Sequence, residues 1–285
     1  MVKIISDSTC DLSQEILEKY DITLTPLYIT TGENEDGFRD GVNIKPEDVF
    51  RMVDVEKKSC KTAAVNIFDY EQIFAEYSAK YDEVVQICIS QGFSCCFQNA
   101  KIAAAEFENV HVVDSRSLST GSGYVVHDAA IMAKEGKTAA EICEYIENAA
   151  SYMNTSFVID RLDYLHKGGR CSLAKLIVTK TLNIKPCIEV ANGLMRVGGK
   201  YFGSFESALS KYVKERLSNP ENLDLKRIYI THSACKPEVV ELVREEVKKA
   251  ANFEEIIETR AGCTVSNHCG PNTLGIIFKQ KSEYK

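Results

Sequence analysis

The sequence predicts an α/β protein of two domains, the first built on a parallel sheet and the second on a mixed sheet. Three observations carry that expectation. The first half repeats short apolar runs, polar loops and helical patterns, as strand–helix units do when a parallel sheet is covered on both faces. The second half holds two strand-like runs, residues 185–190 and 194–198, joined through Asn192-Gly193. Asn-Gly is a strong two-residue hairpin signal and implies antiparallel pairing. The length, 285 residues, suits two domains. The boundary is placed near Met153: residues 1–153 form a Rossmann-like α/β domain, and residues 154–285 a second α/β domain.

Each element follows from local chemistry. Residues 3–6 are a short apolar strand and 7–11 a polar loop. Asp11 and Gln14 make a capping pair for a helix over 15–20. Residues 22–30 form a strand interrupted by Pro26. Residues 32–41 are an acidic, glycine-containing excursion. Residues 45–53 are helical, with Pro46 at a tolerated early position, and 70–81 form the next helix. A buried strand over 83–90, a loop over 91–94 and an alanine-rich helix over 95–107 follow. Then come a strand over 110–114 and a helix over 119–135 that stops at Gly136. The second half begins with a helix over 141–152 and a strand over 155–160. The run Lys167-Gly168-Gly169-Arg170 comes next, then a helix over 173–181 and the Asn-Gly hairpin. Helices over 205–217 and 237–250 alternate with strands over 227–231, 254–259 and 273–278. No internal repeat or low-complexity segment appears.

Composition narrows the function classes. Hydrophobic residues make up 45% and charged residues 26% of the chain, as in an ordinary globular protein. The formal net charge of −7 lacks the basic footprint of a nucleic-acid-binding protein. The N-terminal apolar run is too short for a signal peptide and meets Asp7 at once. No stretch approaches the roughly 20 apolar residues that span a bilayer. A cytoplasmic protein is expected. The 11 cysteines form no C-x-x-C pair and read as small buried hydrophobes in a reducing compartment. Cys263, His268 and Cys269 are the only candidate metal ligands, and their clustering is too loose to imply zinc. There is no nucleophile elbow and no P-loop.

Several short motifs offer binding chemistry. Asn267-His268-Cys269-Gly270-Pro271-Asn272 precedes the apolar run 274–278 and places His268 in a tight turn at the mouth of a buried strand. Ser94 precedes a helix and suits its N-cap. There the hydroxyl and the first backbone N–H groups point at one place, ready for a carboxylate or phosphate; a purely structural cap explains it as well. Thr62 offers a hydroxyl between Cys60-Lys61 and Ala63. Together Thr62, Ser94 and His268 can grip one small anionic group. Ser6-Asp7-Ser8-Thr9 follows the first strand, where open parallel sheets bind ligands, though capping by the same side chains fits equally. The glycines of Ser119-Thr120-Gly121-Ser122-Gly123 suit a phosphate cradle or close helix–strand packing. Cys95-Cys96 admit a thiol-redox reading.

The chain resembles the DegV family. The resemblance rests on Ser6-Asp7-Ser8-Thr9-Cys10-Asp11-Leu12, on Val113-Asp114-Ser115 through Gly123, and on Ile184-Lys185-Pro186 and His268-Cys269-Gly270-Pro271. Its most specific piece is the run from Leu162-Asp163-Tyr164-Leu165-His166-Lys167 through Gly168-Gly169-Arg170-Cys171-Ser172. It covers essentially the whole chain in order. It implies a fatty-acid-binding protein that carries the acyl group for a bacterial fatty acid kinase, with the acid in a tunnel between the domains. The carboxylate-holding roles then fall on Thr62, Ser94 and His268. No catalytic residue, metal or cofactor is assigned to this chain, and ATP comes with the kinase. Transient membrane contact is compatible with a lipid carrier. Arg170, in a glycine-rich basic turn, is expected to contact the partner or the phosphoryl group, since arginine suits bidentate contact with phosphate; local carbonyls are the simpler use for it. Ala63, Ala64, Cys95, Cys96 and Asn272 depart from the family's usual residues beside the key polar ones, which bears on chain preference. The resemblance of the fold to a dihydroxyacetone kinase subunit supplies the alternative: action on a small ketone or sugar.

Overall fold

The computed structural model describes residues 1–32, 34–167 and 184–284. Strands β1 (Val2–Asp7), β2 (Thr23–Thr25), β6 (Glu83–Cys88) and β7 (Val110–Asp114) form a parallel sheet in the order β2-β1-β6-β7. Side chains alternate across a strand, so Ile4, Val85 and Ile87 face one layer while Ile5, Val84 and Cys88 face the other. Helices α3 (Ile67–Ser78) and α4 (Cys96–Ala104) cover the second face. Helices α5 (Thr120–Lys134) and α6 (Ala139–Ala149) cover the first. This is the two-sided parallel sheet that the strand–helix repeat predicts.

The second sheet has six strands: β8 (Met153–Ile159), β9 (Ile184–Ala191), β10 (Leu194–Phe202), β11 (Leu223–Ser233), β12 (Glu255–Arg260) and β13 (Thr273–Gln280). Their order is β10-β9-β8-β13-β11-β12. Only β11 and β12 run parallel; the other pairs are antiparallel, so the sheet is mixed. Asn192 and Gly193 turn the β9–β10 hairpin with positive φ of 52° and 76°, the geometry for which Asn-Gly is selected. Helices α8 (Phe205–Arg216) and α9 (Pro237–Ala250) pack on one face, over Val158, Ile228, Leu274 and Ile276. The opposite face meets α5: Tyr229 and Ile277 share a core with Tyr124, Val125 and Ala129. Every residue from Thr120 to Ala130 is buried, so α5 is the seam between the sheets.

A third, three-stranded sheet was not expected. Pro26 does not merely interrupt one strand. It separates β2, in the parallel sheet, from β3 (Tyr28–Thr31), which pairs with β4 (Asn34–Arg39) and β5 (Lys61–Ala63). The acidic excursion thus contributes a strand. Pro46 opens α2 (Pro46–Phe50), which continues as a wider turn over Arg51–Val55. The capping residue of α1 (Gln14–Lys19) is Ser13, whose Oγ accepts the Ile16 N–H, and not Asp11. Helix α7 (Leu162–Lys167) follows β8. Arg170 and the helix expected over 173–181 lie outside the described residues. Among the described residues, no helix is long and apolar enough to cross a membrane.

Candidate functional site

A cavity lies where the three sheets meet. Its described walls are mainly apolar: Leu27, Ile89, Phe93, Leu118, Phe157, Leu165 and Met195. Thr62, Ser94, Thr264 and His268 supply the polar side chains. The three residues singled out from sequence therefore line one cavity, although they are far apart in the chain.

Their local settings differ from expectation. Thr62 sits on β5, opposite Ile29 of β3. His268 is not in a turn. It lies near the end of a seven-residue helix, α10 (Cys263–Cys269). So short a helix is marginal alone, and tertiary contacts hold it. Asp40 accepts the Cys263 and Thr264 N–H groups at 2.8 and 2.9 Å, and Asp11 accepts the Gly262 N–H at 2.8 Å. The Asn267 side chain donates to the Cys60 carbonyl at 3.3 Å, tying the helix to the start of β5. Gly270, at φ +74°, ends the helix. This frame brings His268 Nε2 to 2.8 Å from Thr62 Oγ1.

Ser94 is one residue short of the N-cap position, which Cys95 occupies without a side-chain cap bond. The Ser94 hydroxyl still accepts the Cys96 N–H at 3.3 Å and donates toward Cys96 Sγ at 3.1 Å. It thus stands beside the first free N–H groups of α4, where negative charge is favoured.

The loop after β1 is committed to internal bonds. Asp7 accepts the Ile89 N–H at 2.6 Å and the Tyr70 hydroxyl at 2.9 Å. Burial pushes its carboxyl up to about 6. Ser8 accepts the Leu27 N–H at 3.1 Å. The Ile89 and Leu27 bonds anchor backbone that forms the cavity wall, so this loop shapes the site and is spent doing so. Burial also raises Asp11, to about 8, opposed by bonds from Ser119 and Gly262. The glycines after Ser119 serve close packing: a Cβ on Gly123 would lie 2.3 Å from the Cys10 carbonyl oxygen.

A second cavity shares Leu118, Phe157, Val265 and Cys269 with the first and runs on towards Ile277. The shared wall makes it a natural continuation for an extended apolar ligand. The ten described cysteines are all free, and burial raises the Cys96 and Cys269 thiols to about 12. Thiols so protonated are poor nucleophiles, which weighs against a redox pair at Cys95-Cys96. Among the described residues, no three His, Cys, Asp or Glu side chains are grouped to hold a metal ion.

Sequence reasoning missed Asp40, Thr264 and the apolar wall. Asp40 sits in an acidic stretch that resembles a solvated loop. Thr264 stands four residues before His268, on the same helical face, a relation visible only once the helix over Cys263–Cys269 is known.

Residues 1–281 match the model of an uncharacterised protein family, the DegV family. A fatty acid-binding protein of Thermotoga maritima is 28% identical over 96% of both chains. A DegV family protein from Thermus thermophilus, described for its fatty acid binding, is 26% identical, with a TM-score of 0.88 over 98% of this chain and 99% of that one. A stearic acid-binding protein from Eubacterium ventriosum is 27% identical, with a TM-score of 0.84 over 99% of both.

Proposed function

Because the chain belongs to the DegV family, we propose that it binds a long-chain fatty acid in this cavity and presents the carboxylate to a partner fatty acid kinase. The observation that carries the reading is the Thr62–His268 pair, 2.8 Å apart, in the wall of an otherwise apolar cavity that Ser94 also lines. A buried carboxylate must be hydrogen-bonded or it is costly to desolvate. Two hydroxyls, an imidazole and the N–H groups at the start of α4 meet that need. The tail supplies affinity: at about 0.8 kcal/mol per buried CH₂, roughly 14 methylenes offer on the order of 11 kcal/mol before ordering and association costs. The apolar wall suits such a chain and offers little to a triose or other small ketone.

In this reading residues 1–153 and 154–285 are two domains, and the acid lies between them in a cytoplasmic carrier without catalytic residues of its own. Thr62, Ser94 and Leu118 line the cavity from the first, Phe157, Met195 and His268 from the second. The same polar grip that holds the carboxylate would shield an acyl phosphate from water. Arg170 serves the transfer, by docking the kinase or steadying the phosphoryl group.

Organic extraction of the purified protein, followed by mass spectrometry, tests the ligand. A long-chain acid at near-stoichiometric amount is expected; a small polar metabolite there would overturn the reading. The kinase step is tested by supplying a bacterial fatty acid kinase and ATP and trapping acyl phosphate with hydroxylamine. Arg170→Ala should keep the lipid and slow the trapped product. Normal turnover in that variant would remove Arg170 from the mechanism.

A further inference from the structure

Thr264 is the cavity hydroxyl with no explanation so far. Its side chain lines the same cavity as His268 and is only 5% exposed. Its backbone N–H is taken by Asp40, but its Oγ1 has no hydrogen-bond partner among the described residues. The neighbouring hydroxyls are engaged, Thr62 with His268 and Ser94 with Cys96. A buried hydroxyl facing an apolar wall is costly unless something pairs with it. A ligand bound in the cavity can reach it.

Position decides which part of the ligand that is. One helical turn separates Thr264 from His268, a rise of about 6 Å. In the proposed grip the acceptor sites of the carboxylate are already taken by Thr62, Ser94, His268 and the N–H groups at the start of α4. A carboxylate gripped by Thr62 and His268 therefore leaves Thr264 beside the first carbons of the acyl chain. A plain chain would lay methylenes against the hydroxyl and leave it unpaired. An oxygen on one of those carbons would pair with it.

We propose that Thr264 is a specificity-determining contact that makes the cavity prefer fatty acids bearing a hydroxyl or keto oxygen near the carboxylate. This rests on the fatty-acid reading above and adds a substrate class to it. Sites built to hydrogen-bond a ligand oxygen discriminate strongly against the analogue lacking it, because the protein group is then left buried and unpaired.

The test uses the delipidated full chain and displacement of a fluorescent fatty acid by myristate or by β-hydroxymyristate. The β-hydroxy acid should bind roughly five- to tenfold tighter, the effect of one net hydrogen bond. Thr264→Val keeps shape and removes the hydroxyl, so the gap should close, mainly through loss of β-hydroxymyristate affinity. Thr264→Ser keeps the hydroxyl and should keep the gap. Thr264→Ala repeats the loss should the valine disturb α10. Equal affinities in the unmodified chain overturn the inference, as does a gap that persists in the valine and alanine variants. A water satisfying Oγ1 would show itself as the first of these. Failure to bind either acid is a different result: it removes the fatty-acid reading itself.

Discussion

His268 and Thr62 meet through one hydrogen bond across 206 residues. Each is expected to donate to the same carboxylate. Thr62→Val and His268→Ala should each weaken long-chain fatty acid binding roughly tenfold to a hundredfold, the range for hydrogen bonds to a charged group. Since the two side chains touch, the double variant should lose less than the sum of the single losses. Titration calorimetry on the four proteins checks both points; additive losses, or affinity unchanged in either single variant, would count against a shared grip. These residues were legible because a hydroxyl or imidazole beside a strand or helix end announces binding chemistry. Thr264 was not, since a threonine inside Cys263-Thr264-Val265 reads as core packing.

Helix α10 has seven residues and needs outside acceptors for its first N–H groups. Asp40 supplies two of them. Asp40→Ala should cost about 1–2 kcal/mol of stability, the usual loss for a helix N-terminal cap. Because His268 rides on this helix, fatty acid affinity should fall in the same variant. Urea unfolding and ligand titration measure the two effects; full affinity with lowered stability would uncouple the helix start from the site. The loop carrying Ser94 is fixed differently. A Cβ on Gly92 would stand 2.4 Å from the Gly193 carbonyl oxygen at the hairpin tip. Ser90 Oγ also donates to that carbonyl, at 2.8 Å. Gly92→Ala must therefore push the hairpin from the loop, at about 1–3 kcal/mol; a thermal melt unchanged within error would show that the contact yields freely. Strands β1, β6 and β7 of the parallel sheet were readable from their apolar runs alone. Helix α10 was not, because it lacks a helical apolar repeat and owes its form to Asp40 and Asp11.

Across the molecule, three buried groups set opposing pH trends. Burial pushes His127 down to about 3 against an ordinary value of 6.5. It stays neutral in the fold and charges more readily when unfolded, so its contribution is intact above about 6.5 and is lost as pH falls towards 3. Asp7 and Asp11 run the other way. Their folded values, about 6 and about 8, lie above the ordinary 3.8. Their contribution is full below 3.8 and is lost as pH rises through the folded values. Between 6.5 and 8 the unfolded His127 goes from half protonated to almost neutral, the smaller effect, and Asp7 is mostly ionised in both states. Asp11, with the like charge of Asp40 nearby, then dominates these three trends. Stability should decline across that window, and Asp11→Asn should flatten the decline. Urea midpoints at pH 6.5, 7.25 and 8 decide it, and an equal slope in the variant would assign the trend elsewhere.

The sequence by itself determined the two kinds of sheet, their covering helices and the three polar residues nominated for the site. Apolar periodicity, Asn-Gly turn chemistry and side-chain type are local properties that survive without coordinates. It could not show that Pro26 hands the chain to a third sheet, that α5 is the seam between two sheets, or that buried Asp11 and Asp40 build the helix bearing His268. Those depend on which surfaces exclude water together. An aspartate in an acidic stretch looks solvated until the fold buries it against unpaired N–H groups. The cavity itself is likewise a property of packing: Leu27, Phe157 and Met195 are ordinary core residues in sequence, and only the meeting of three sheets leaves space between them.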